Sequence, residues 1–172
     1  MIITNNESLL RTKCDDVLSE EVESLINYLQ IDLDNANRLG KGGVGLAAPQ
    51  IGIYKKISII RFDKFKLNLV NCNIEKVYDS YVFKQESCLS FPGRAEDTTR
   101  FKEIYVTNNL VYPYSFVVTG LLAVIVQHEL DHLNGILFFD KMIKPPIKVK
   151  IGPNDLCVCG KKIKYKKCCR KN

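Results

Sequence analysis

"VIVQHELDHLNG" (residues 124–135) contains both histidines of the 172-residue chain, His128 and His132, with Glu129 directly after the first. On a helix, residues four apart share a face, so both imidazoles can turn toward one ion. Glu129 then stands beside a water at that ion, as in HExxH hydrolases. Leu121, Leu122, Val124, Ile125 and Val126 precede the histidines and make this helix strongly apolar. Two histidines and an acid in such a setting are costly unless a metal or hydrogen bonds satisfy them. The plain alternative is a pair of hydrogen-bonded core histidines. The helical pattern runs from Gly120 to Asn134, and Gly135 is suited to end it.

A hydrolytic metal ion usually takes three protein ligands and keeps one position open. The longer pattern HExxHxxGxxH would place its third histidine where this chain has Phe138, which cannot bind a metal. The acids after Glu129 are Asp131, Asp140 and Asp155, so a downstream glutamate is missing as well. The third ligand is therefore sought upstream, as a cysteine in a tight polar loop. Cys88 lies in "QESCLSFPG" (85–93), between a strand and a Pro-Gly turn, whereas Cys14 and Cys72 read as ordinary thiols.

Working outward, residues 20–38 place Val22, Leu25, Ile26, Leu29 and Leu33 on one face and predict an amphipathic helix. Residues 39–52 form a glycine-rich loop. Strand-like patterns follow at 56–62, 66–71, 73–85, 103–108 and 114–119. Pro145 and Pro146 then signal a linker. The expected class is α+β, with antiparallel sheets around a central HExxH helix and a small C-terminal zinc-binding tail. Hydrophobic residues make up 46% and charged residues 26%, an ordinary globular balance. No apolar run reaches the roughly 18 residues of a membrane span, and the start lacks the pattern of a secretory signal. A cytoplasmic protein without membrane contact is expected.

Three stretches in order, "GVGLAAPQIG" (43–52), "ESCLSFPG" (86–93) and "QHELDHLNG" (127–135), resemble the signature motifs of the peptide deformylase family. The resemblance covers residues 1–145. It implies that Cys88, His128 and His132 bind the catalytic metal and that Glu129 is the general acid–base. It also implies that the Gln50 side chain and the Leu89 backbone N–H stabilise the oxyanion. The family usually carries Fe(II), with Zn, Ni or Co able to replace it, and a Cys-His-His set suits these ions. The implied substrates are N-formylmethionyl peptides, which release formate. The methionine side chain would enter a pocket lined by Val44, Gly45, Leu121, Val124 and Ile125. The spacing agrees, since Leu121, Val124, Ile125 and His128 share one helical face.

Family resemblance also pairs Glu86 with Arg100 behind the metal loop. Ser87 stands where the family has glycine. If that position needs a positive φ, serine costs about 1 kcal/mol or more; otherwise its side chain only narrows the peptide groove. Gly42, Gly43 and Gly45 admit a phosphate-loop reading, but neither GK[ST] nor GxGxxG is present. Close approach of a peptide backbone suits them better. Two other functions compete: an HExxH zinc protease, and an inactive deformylase-fold adaptor.

The net charge of +6 is unevenly placed. Residues 147–172 carry nine Lys or Arg against the single acid Asp155, while the rest of the chain is slightly acidic. Within this basic tail Cys157, Cys159, Cys168 and Cys169 resemble the SEC-C zinc motif, C-x-C-x₈-C-[HC]. Four thiolates suit tetrahedral zinc and can fold a segment too short to hold a core. The expected division is a catalytic domain over 1–145 and a linker with the zinc motif over 146–172. A cationic tail also suggests an anionic partner, here the ribosome, through its RNA or protein.

Overall fold

The computed structural model describes residues 1–143, 152–157 and 159–169. Helices are α1 (Glu7–Leu10), α2 (Val22–Arg38) and α3 (Gly120–Leu133). Strands are β1 (Gly45–Ala47), β2 (Ile57–Phe62), β3 (Phe65–Val70), β4 (Asn73–Ser87), β5 (Ala95–Thr107) and β6 (Ser115–Thr119). They form two antiparallel three-stranded sheets, β1-β2-β3 and β4-β5-β6.

The apolar run that opens α3 explains where the helix sits. Ala123, Val126, Leu130 and Leu133 pack in one cluster with Ala47, Ile60 and Leu69 of the first sheet and Ile104, Val106 and Val118 of the second. The helix is thus wedged between the sheets, and burial of apolar area on both sides holds it there. The expected α+β arrangement of antiparallel sheets around a central helix is the one found. On the far side of the first sheet, α2 lays Leu25, Leu29 and Leu33 against Leu46, Ile57 and Ile59. Gly135 ends α3 with φ +68, and its missing Cβ leaves room for the Arg11 backbone.

Three elements depart from the sequence reading. β1 forms inside the expected glycine-rich loop, its three residues paired with Ser58–Ile60 of β2. β5 begins at Ala95 rather than Glu103, because its inward residues Thr98 and Arg100 are polar and break the apolar alternation. α1 is a single turn, too short for a periodic signal. The linker at 144–148 and the 145/146 boundary lie outside the described residues. Among the described residues no helix is long and apolar enough to cross a membrane.

Candidate metal centre

The end of β4 and the middle of α3 meet at one point. Cys88 Sγ and one ring nitrogen each from His128 and His132 all lie within 4.8 Å of one another. Cys88 Sγ is 3.3 Å from His132 Nε2. The Ser90 backbone N–H and Gln50 Nε2 point at the same sulfur, at 3.4 and 3.5 Å. Behind this group runs a chain of charges. His128 Nδ1 meets Glu86 Oε1 at 2.6 Å. Arg100 donates to both oxygens of Glu86, at 2.6 and 2.8 Å, and to Asp131 at 2.6 Å. Thr98 donates to Glu86 as well. The expected Glu86–Arg100 pair is therefore present, and Arg100 is 2% exposed.

The electrostatics of this cluster follow from burial and pairing. Burial raises the Glu86 carboxyl, but hydrogen bonds from His128 and Arg100 more than reverse this and bring it to about 2. Glu86 is thus ionised and accepts the His128 Nδ1 proton. Burial lowers His128, but Cys88 and Glu86 beside it more than reverse this and raise it well above its ordinary value, so a metal at Nε2 would take the place of a proton. Burial pushes Glu129 up to about 7 and His132 well below its ordinary value. Glu129 Oε2 and His132 Nδ1 are buried without a hydrogen-bond partner. Such orphaned atoms are costly in an apo protein. One cysteine sulfur and two imidazole nitrogens at this spacing are a donor set that suits Fe(II), Zn, Ni or Co, so the residues fit the metal. Phe138 stacks on the His128 ring, centroids 6.1 Å apart, and closes the site from the side.

A cleft of about 480 Å³ opens in front of the cluster. Val44, Gly45, Leu121, Val124 and Ile125 line it, together with Gln50, Cys88, Leu89, His128 and Glu129. His132 sits deeper, 1% exposed. A Cβ on Gly45 would collide with the Glu129 carboxylate, so only glycine lets β1 pass this close. Gln50 is locked by the Ala47 N–H at 2.8 Å and by Ser90 Oγ at 3.0 Å. Ser87 lies in the β4 ladder opposite Ala95 and does not have a positive φ; in this strand Asp79 and Gln85 do. Of the two consequences weighed for Ser87, the narrowed groove is the one that applies. Sequence reasoning missed Ser90, Thr98, Asp131 and Phe138 as supports, because each acts through a neighbour distant in sequence.

The family model described as polypeptide deformylase matches residues 1–146. The chain belongs to the polypeptide deformylase family. A peptide deformylase of Borreliella burgdorferi is 35% identical over 143 residues, 76% of this chain and 81% of the relative. The Synechococcus elongatus deformylase, crystallised with actinonin, is 34% identical, with a TM-score of 0.73 over 84% of this chain and 79% of the other. The Met-Ala-Ser-bound deformylase of Acinetobacter baumannii is 30% identical, with a TM-score of 0.69 over 83% and 97%.

The tail lies beyond the stretch matched to the deformylase family. Its Leu156 and Lys164 bridge antiparallel, and the Cys157 N–H donates to Ile163 O at 2.8 Å. This turn gathers Cys157, Cys159, Cys168 and Cys169, whose sulfurs lie within 4.8 Å of one another. Backbone N–H groups of Cys159 and Cys169 lower the Cys157 thiol, while hydrogen bonding to Cys159 raises Cys168. Four thiols at this distance could hold one metal ion in tetrahedral geometry.

Proposed function

We propose that this chain removes the formyl group from N-formylmethionyl nascent peptides and releases formate, with Cys88, His128 and His132 as metal ligands and Glu129 as general acid–base. The observation that carries the proposal is the Cys88-His128-His132 cluster, its ligand atoms within 4.8 Å, at the base of a cleft that also holds Glu129. The Met-Ala-Ser bound to the Acinetobacter relative supports a methionine-first product.

A bound ion supplies Lewis acidity, polarising the formyl oxygen and lowering the pKa of the attacking water. The protein residues do the rest. Glu129 takes the proton of the water and returns it to the leaving amine, and burial keeps its carboxyl basic enough for the first step. A bound dication would draw that value down again. The Gln50 amide and the Leu89 backbone N–H donate to the oxyanion, which needs donors at about 3 Å. Glu86 fixes the His128 tautomer, and Arg100 keeps Glu86 ionised. Val44, Gly45, Leu121, Val124 and Ile125 hold the methionine side chain.

We assign an iron-type ion, replaceable by Zn, Ni or Co, to this site, and a structural zinc to Cys157, Cys159, Cys168 and Cys169. Residues 1–145 form the catalytic domain, and 146–172 the linker and SEC-C-like motif. The tail docks the enzyme on the ribosome from the cytoplasm through its lysines.

Formate release from formyl-Met-Ala-Ser, set against cleavage of casein, separates a deformylase from an HExxH protease. Glu129→Ala should abolish formate release and retain metal, which an inactive adaptor would not show. Loss of metal in that variant would remove Glu129 from the acid–base role. Co-sedimentation with ribosomes should fall on deleting residues 147–172 and weaken steeply with salt.

A further inference from the structure

A second cavity, of about 500 Å³, lies beside the methionine pocket. It is bounded by Phe65 and Leu67 of the β2–β3 hairpin, by Phe116 and Val117 of β6, and by Pro113 before that strand. Its lining contains no charged residue. Phe62, the last residue of β2, and Leu121, the second residue of α3, border both cavities. Leu121 is 45% exposed and belongs to none of the buried apolar clusters.

The spacing along α3 sets what can reach this second groove. Leu121 precedes His128 by seven residues, about 10 Å along the axis. A methionine side chain reaches roughly 5 Å from its Cα, and the formyl carbon and amide nitrogen separate that Cα from the metal ligands by a few bonds. A methionine side chain lying along α3 would therefore end level with Leu121. A longer unbranched side chain passes it.

We propose that the methionine pocket continues past Leu121 and Phe62 into this groove, so that the enzyme accepts linear apolar first-residue side chains longer than methionine. Leu121 is the residue that sets passage between the two. The inference rests on the deformylase reading of the cleft. It does not concern how the formyl group is cleaved.

The test uses the full metal-loaded chain and formyl-X-Ala-Ser peptides in which X carries an n-butyl, n-hexyl or n-octyl side chain. The kcat/KM should hold or rise from butyl to octyl, by up to about fourfold per methylene newly buried. Leu121→Trp should lower the hexyl and octyl values about tenfold or more relative to butyl. Val117→Asp, outside the methionine pocket, should lower the octyl value and leave formyl-Met-Ala-Ser turnover unchanged. A collapse of wild-type kcat/KM beyond butyl, with formyl-Met-Ala-Ser turnover intact, overturns the inference. So does a chain-length profile that Val117→Asp leaves unaltered, and this arm stands if Leu121→Trp fails to fold. Failure to turn over formyl-Met-Ala-Ser itself would instead strike the deformylase reading.

Discussion

Gly45 and Glu129 lie in close contact in the cleft. A Cβ at Gly45 would occupy the position of the Glu129 carboxylate. Gly45→Ala should therefore lower kcat on the order of 100-fold, the cost of a misplaced base, while metal content stays at the wild-type level; formate release and metal analysis together check this. Ser87 has the opposite sign. It sits unstrained in the β4 ladder at the edge of the cleft, so Ser87→Gly should raise kcat/KM a few-fold through KM while lowering the melting temperature slightly, the cost of a glycine in a strand. An equal or lower kcat/KM would show that the hydroxyl helps substrate. The site's titratable residues were legible in the sequence because their types and spacing are chemical: two histidines one helical turn apart, an acid between them, a cysteine in a tight loop. Phe138 was legible only as an obstacle. Its stacking on His128 depends on how the chain turns after Gly135, which no local pattern encodes.

At the level of elements, β5 carries the main lesson. Its first half faces inward through Thr98 and Arg100, and both side chains serve Glu86. An inward face made of polar residues has no apolar period, so the strand was read only from Glu103 onward, where Ile104 and Val106 restore the alternation. Arg100 ties β5 to β4 through Glu86 and to α3 through Asp131. Arg100→Ala leaves two carboxylates without their partner and should destabilise the fold by about 3–5 kcal/mol, measured by denaturant unfolding, with a fall in metal affinity. A second tie, between Arg11 after α1 and Asp140, is more exposed and depends on pH. The Arg11 hydrogen bond holds the Asp140 carboxyl below its ordinary range, against the opposing effect of burial. A carboxyl lowered in the folded state stabilises the fold above its unfolded pKa of about 3.9, and that gain fades as pH falls through the lower folded value. Wild type should melt above Asp140→Asn at neutral pH, and the gap should narrow as pH falls below about 3.9. A gap constant across that range would exclude the pair as its source.

At the scale of the whole molecule, the placement of α3 between two sheets was legible because its apolar run continues on all sides, the mark of a buried helix. Which side chains from other elements would meet it was not, since β1 and the first half of β5 gave no strand signal. The tail is separable in kind. Cys168→Ser should remove one equivalent of zinc and leave turnover of a short formyl peptide unchanged, as metal analysis and formate release would show. Loss of turnover would make the tail part of the catalytic body. The segment ahead of α2 is tied to distant parts of the body. The Cys14 N–H donates to Leu133 O, the Asn5 N–H to Ser90 O, and Arg11 grips Asp140. The segment ahead of α2 thus closes in part against residues far along the chain, with Arg11 and Asp140 129 positions apart. Closing such loops costs chain entropy before the contacts repay it, so these ties should form late in folding, and the ligand-bearing end of α3 should be among the last parts to settle.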